Sequence, residues 1–206
     1  MFLLRLALPD RPGSLGAVAT AMGTVGADIN AVEVVEKYEG FAVDDFMVEL
    51  PTGSQPDSLV TVCTSIPGVE VVWLSYYPER WGLQADVDLL NHMTEHPDRA
   101  AEILTLESTD VFRVNWAALI DRESGQVLAR TDLAPDLDDT GVAALGPLDE
   151  LRSAELPGDW LPGWGETLIA VSPFRSGSTV VLARRGGPEF LNSELARLRH
   201  LTALAQ

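Results

Sequence analysis

The sequence predicts an α+β protein made of two consecutive antiparallel sheets with flanking helices. Three observations carry this. Apolar residues recur with a period of two in some short runs and with a helical period in others, and the two kinds alternate along the chain. Pro and Gly punctuate the runs. A complete strand–helix–strand–strand–helix–strand pattern is finished by residue 78 of 206, which leaves enough chain for a second domain.

Residues 2–8 form an apolar run broken only by Arg5 and read as a buried strand. Pro9 stops it, because proline donates no hydrogen bond to a sheet. Pro12 has a preset φ and suits the first turn of a helix. Leu15, Val18, Ala19 and Met22 then share a helical face, and Gly23 or Gly26 ends the helix in a left-handed cap. Residues 29–35 are rich in β-branched side chains and read as a second strand, with a turn at Tyr38, Glu39 and Gly40. Phe46, Val48 and Leu50 alternate with Asp45 and Glu49, the pattern of a half-buried third strand. Leu59, Val62, Cys63 and Ile66 share a face of a second helix, and residues 69–76 form a fourth strand. Cys63 on that apolar face reads as core rather than as a nucleophile.

A linker is expected over residues 79–85, with Gly82 inside it and Trp81 packing on either neighbour. The second domain, 86–206, opens with a helix over residues 86–106, broken at Pro97. A strand is expected over 111–120, a turn at 121–125 and a returning strand over 126–130. Residues 134–161 read as loop with one helical piece near 148–155. Residues 167–174 and 179–183 form a second hairpin. Asn192 is positioned to cap a last helix with Leu195, Leu198 and Leu201 facing inward.

Composition narrows the function. The formal charge is −17, and the one lysine is Lys37. So acidic a surface repels nucleic-acid phosphates and anionic membranes, so neither is an expected partner. No apolar run is long enough to span a membrane. Met1 leads straight into a strand without a charged leader, and a lone cysteine suits a reducing compartment, so the expected location is cytoplasmic. There is no phosphate-binding P-loop, no G-x-G-x-x-G and no G-x-S-x-G elbow, and no carboxylate pair is marked as acid and base. No catalytic activity and no cofactor are expected. His92 to His96 matches the short H-x-x-E-H zinc pattern. Pro97 disfavours helix at His96, however, and no third ligand is marked, so metal binding is not expected.

Asp10-Arg11-Pro12-Gly13-Ser14-Leu15, followed by Gly26-Ala27-Asp28-Ile29-Asn30, resembles the ACT domain, in which a strand leads into a D/N-R-P-G-x-L loop, a helix and a G-x-N/D-I strand. The resemblance covers residues 1–78. It implies a ferredoxin-like βαββαβ module that pairs with another copy and binds an amino acid in order to regulate something else. Carried over residue by residue, the ligand contacts are Asp10, Arg11, Pro12, Gly13 and Ser14 in the loop, with Asp28 and Asn30 at the second strand. The family often has Asn where this chain has Asp10 and Asp28. Ionised Asp is acceptor-only, so the pair would favour an ammonium, while helix N–H groups near Gly13 and Ser14 receive a carboxylate. The competing reading makes Asp10 a helix cap and Asp28 the residue after a turn.

Residues 116–121 with their hairpin, then 168–173, 180–184 and 187–190, resemble a GAF domain, a sensory module with a central antiparallel sheet. Residues 132–164 are shorter than the family's segment that roofs its ligand pocket. They hold no Cys or His for a haem or chromophore. The expected function is therefore a small-molecule, amino-acid-binding regulator or sensor, dimeric through its first domain, acting on a protein partner that it regulates. The alternatives are a ligand-free interaction module and an enzyme with an unrecognised site.

Overall fold

The computed structural model describes residues 1–76 and 83–205. The chain is α+β and divides into two compact units, Met1–Glu79 and Arg80–Gln206. Residues 79–82 of the expected linker, Trp81 among them, lie outside the described residues, and residues 83–85 belong instead to the helix Leu83–Glu95.

In the first unit the order is β1 (Phe2–Pro9), α1 (Ser14–Thr24), β2 (Asp28–Tyr38), β3 (Phe41–Glu49), α2 (Asp57–Thr64) and β4 (Glu70–Tyr76). The sheet order is β2-β3-β1-β4 with every neighbouring pair antiparallel. This is the split βαβ arrangement of ferredoxin-like folds, in which each helix carries the chain past one strand. Period-two alternation sends Leu4, Leu6 and Leu8 of β1, with Phe46 and Val48 of β3, to one face. There they pack on Val18 and Met22 of α1 and on Leu59 and Cys63 of α2. Cys63 is fully buried in this layer, and burial pushes its thiol up to about 11. Neutral at ordinary pH, it is a core residue.

The half-buried reading of β3 is corrected. Every residue from Ala42 to Val48 is buried, Asp44 and Asp45 included. β3 is an inner strand between β2 and β1, and its side chains are buried on both faces of the sheet. Asp45 lies on the face away from the helices. It is reached by Arg5, whose Nε donates to Oδ1 at 2.7 Å and Nη2 to Oδ2 at 2.9 Å. A bidentate guanidinium of this kind is what makes a carboxylate tolerable inside a sheet.

In the second unit, α3 (Leu83–Glu95), a short 3-10 turn (Pro97–Arg99) and α4 (Ala100–Val111) precede β5 (Trp116–Asp121), β6 (Val127–Arg130), α5 (Asp139–Ala144), β7 (Arg152–Leu156), β8 (Thr167–Pro173), β9 (Ser178–Arg185) and α6 (Asn192–Leu204). The sheet is antiparallel with order β6-β5-β9-β8-β7. One face, with Ala117, Leu119, Val180 and Leu182, packs on α4 and α6 through Leu104, Leu198 and Leu201. The other face is covered by the segment between β6 and β8. Trp116 stacks on Trp160 with ring centroids 6.1 Å apart, and Trp164 meets Trp116 edge-on at 6.3 Å. The segment thus brings Trp160 and Trp164 against this face.

Three expectations in this unit are corrected. The strand expected from residue 111 starts at Trp116, because α4 runs to Val111 and Arg113 takes a positive φ of 54°. The helical piece expected near 148–155 is instead strand β7, paired with β8. The helix in that region is α5, whose cap Asp138 accepts from the Gly141 N–H at 2.8 Å. Asn192 is the first residue of α6 rather than its cap, and the Leu191 N–H at the helix start donates to Glu194.

Candidate functional site

The loop between β1 and α1 is shaped by its own sequence. Pro9 ends β1, and the Asp10 N–H donates to the Gly40 carbonyl at 3.0 Å, tying the loop to the β2–β3 hairpin turn. Gly13, with φ 94°, is the residue before α1, a conformation open to glycine and strained for other residues. Pro12 therefore precedes the helix rather than occupying its first turn. A Cβ added at Gly13 would meet no atom within 4 Å, so the helix start faces open space.

That space is a cavity of about 330 Å³. Residues 8–15 line one side, and Val34, Lys37, Ala42 and Asp44 complete it. The volume is at the lower end of the ~300–1,000 Å³ of small-molecule sites, which suits a compact ligand. Leu8, Pro9, Pro12, Leu15, Val34 and Ala42 supply apolar wall. The charged groups are Asp10, Arg11, Lys37 and Asp44.

The five expected loop residues, Asp10, Arg11, Pro12, Gly13 and Ser14, all line this cavity. Asp10 does not cap α1, which has no side-chain cap at all. Its Oδ1 instead accepts from Lys37 Nζ at 2.9 Å in a half-exposed ion pair. Arg11 is exposed and makes no ion pair among the described residues. The expected contacts on β2 lie elsewhere. Asp28 pairs across the sheet with Glu49, whereas the cavity lies at the Tyr38–Phe41 end of the same hairpin. Lys37 lies nine positions beyond Asp28, roughly 30 Å of extended strand. Asp28 and Asn30 are both exposed. Within one chain, neither joins the loop residues.

Asp44 is the residue that the sequence reading missed. Its backbone is tied into the sheet opposite Leu6 and Val34, so it reaches the cavity with its side chain. It is 1% exposed, and its Oδ1 is buried without a hydrogen-bond partner among the described residues. Burial raises its pKa, Lys37 opposes the rise, and Asp10 and Asp45 reinforce it. The signal in the sequence was two adjacent carboxylates, Asp44 and Asp45, inside an apolar strand. Arg5 answers one of them, and the other is left over.

This arrangement has a consequence for stability. A carboxyl whose folded pKa lies above its unfolded value binds more protons in the native state. Its favourable contribution is full below the unfolded value of 3.8 and is lost as pH rises through the folded pKa. Asp44→Asn, which removes the ionisation, is therefore expected to raise the midpoint of urea unfolding at pH 7. The gain should shrink as pH falls toward 4. A variant less stable than the parent at pH 7 would show that Asp44 is a structural anchor.

The two histidines of the short zinc pattern do not share a helix face. α3 stops at Glu95, and His96 leaves helical geometry at φ −132°, ψ 66°. His92 Nδ1 lies 2.8 Å from the Glu107 carboxylate, which raises the imidazole pKa. Among the described residues no group of three or more His, Cys, Asp and Glu could hold a metal ion.

No family model matches the chain, and no curated protein matches it. Among solved structures, the GAF domain of an Acinetobacter phosphoenolpyruvate-protein phosphotransferase is similar at 13% identity. The match covers 58% of this chain and 89% of that one with a TM-score of 0.40. A formyltetrahydrofolate deformylase from Pseudomonas putida KT2440 is similar at 10% identity, over 46% of this chain, with a TM-score of 0.30. The match spans 37% of the deformylase's own length. An unknown protein from Galdieria sulphuraria is similar at 13% identity over 99% of this chain and 87% of that one, with a TM-score of 0.33. Among the described residues no helix is long and apolar enough to cross a membrane.

Proposed function

We propose that the chain is a regulatory or sensor protein without catalytic activity, whose first unit binds a small amino acid in the cavity beside the β1–α1 loop. The observation that carries this reading is the cavity itself. It puts apolar wall, the open N-terminal end of an eleven-residue helix, and charges of both signs within one small volume. A zwitterion with a short side chain matches that combination. Its carboxylate is stabilised by the helix N-terminus and Arg11, and its ammonium by a carboxylate in the wall. Lys37, already engaged by Asp10, keeps the site from being uniformly anionic. A free, buried cysteine suits work in the cytoplasm.

A ligand that binds only the folded state raises the unfolding midpoint. A thermal-shift screen of the full chain against the twenty amino acids is expected to give a concentration-dependent rise for one or a few of small size. A flat response to all twenty at millimolar concentration would sink the reading and leave the interaction module in its place.

The reading includes a homodimer. β2 is a long edge strand, and Val32 and Val34 on it are 43% and 47% exposed. An edge of that length with apolar side chains is a template for pairing, and a second copy is the usual occupant. Light scattering at micromolar concentration is expected to give twice the chain mass. Adding charge by Val34→Lys is expected to shift the population toward monomer, and a strict monomer for the parent protein would refute the dimer.

A further inference from the structure

The structure assigns to Asp44 the role of the ammonium acceptor of the loop cavity. The ligand class is thereby narrowed to molecules with a free, protonated amine. This inference rests on the reading of the cavity as a ligand site. The expected acceptors were Asp10 and Asp28, and the geometry gives that task to neither. Asp10 is held by Lys37 at 2.9 Å, and Asp28 is at the far end of β2.

Asp44 has what they lack. It is almost wholly buried, its side chain reaches the cavity, and one carboxylate oxygen has no partner among the described residues. A buried acceptor left unsatisfied carries the full desolvation penalty of the group. Its twin, Asp45, shows how the same strand satisfies a structural carboxylate, with two bonds from one guanidinium. The neighbours of Asp44 offer no such bond. Leu6 and Val34 flank it across the sheet, and Ala42 and Phe46 are next on its own face. Lys37 acts on it through charge but directs its hydrogen bond to Asp10 and makes none to Asp44 among the described residues. An ammonium entering the cavity supplies the missing donor and the countercharge together.

The chemistry is specific in two directions. An N-acylated amino acid keeps the carboxylate and the side chain but carries no positive charge, and it brings an acyl group into a small cavity. A carboxylic acid without the amine would place its anion in a wall that holds both Asp10 and Asp44. Both classes should be rejected. A site built to satisfy a buried polar group discriminates strongly against analogues that leave it unpaired.

The test is calorimetric titration of the full chain with three matched sets: the amino acids, their N-acetyl derivatives, and the corresponding decarboxylated amines. The N-acetyl arm uses the unaltered protein, so it does not depend on any variant folding. The expected result is binding of an amino acid, at least tenfold weaker binding of its N-acetyl form, and a loss of about 10- to 100-fold in Asp44→Asn. The unliganded variant should meanwhile be no less stable than the parent at pH 7. Equal affinity for the N-acetyl form, or for Asp44→Asn, overturns the inference while the amino-acid reading stands. Binding of the amines alone, dependent on Asp44, overturns the amino-acid reading and upholds the ammonium site. Binding of none of the three sets overturns both.

Discussion

Asp45→Ala is expected to lower the stability of the first unit by about 3–5 kcal/mol, the loss usual when one partner of a buried ion pair is removed. Arg5 and Asp45 are each 1% exposed at their side chains. The substitution leaves the guanidinium of Arg5 inside the sheet with its bidentate partner gone. Total stabilities of domains are commonly about 5–15 kcal/mol, so the change is large enough to approach unfolding at physiological temperature. Amide hydrogen exchange in β1 and β3 is the appropriate readout, since it reports on this sheet alone in a chain of two units. The double replacement Arg5→Met with Asp45→Leu is expected to recover most of the loss. A pair of well-packed apolar side chains is often as stable as the ions it replaces. A single variant that loses less than 1 kcal/mol would show that the pair is not the anchor of this face.

The contrast between Asp45 and Asp44 also explains what could be read in advance. The βαββαβ order was legible because Leu4, Leu6 and Leu8 alternate on a strand, while Val18 and Met22 fall on one helix face. Those periods are local. The loop residues from Asp10 to Ser14 were legible for the same reason, because Pro and Gly impose local geometry and bring the run to one side of the cavity. Asp44 was not legible. Its importance depends on β3 lying between β2 and β1 and on Arg5 pairing with the neighbouring carboxylate, and both facts are properties of the sheet. The supposed partnership of Asp10 with Asp28 failed within one chain for a related reason. Sequence marks both residues, but only the antiparallel register puts Asp28 opposite Glu49 and Lys37 beside Asp10. In the second unit the error over residues 148–155 had a similar source. A short strand such as β7 acquires its identity from β8, to which it pairs, and carries little signal alone.

Glu194→Ala is the second substitution expected to be severe, at about 3–5 kcal/mol in the second unit. Arg184 lies on the helix-covered face of β9 and is 1% exposed. Its Nη2 donates to Glu194 Oε1 at 2.8 Å and to the Phe112 carbonyl at 2.9 Å, and Nη1 donates to Oε2 at 3.1 Å. The guanidinium carbon also sits 4.2 Å from the Phe190 ring centroid. One side chain thus joins the C-terminal end of α4 to the first turn of α6. A cation is favoured at the first of these and an anion at the second by the helix dipoles. Glu194 has a further task, for its Oε2 accepts from the Leu191 N–H at 2.9 Å and satisfies a donor at the start of α6. Alanine removes the countercharge and the cap together. Glutamine keeps one carbonyl oxygen, which in the Oε2 position can accept from both Leu191 and Arg184 Nη1, but it loses the charge and turns an N–H donor toward Nη2, so Glu194→Gln is expected to fall between the parent and the alanine variant. Urea unfolding followed by hydrogen exchange in α4, β9 and α6 gives the comparison. The order parent, Gln, Ala in decreasing stability is required. Equal loss for Gln and Ala would assign the effect to the charge together with the acceptor that glutamine lacks, and a negligible loss for both would show that Glu194 is not what holds Arg184.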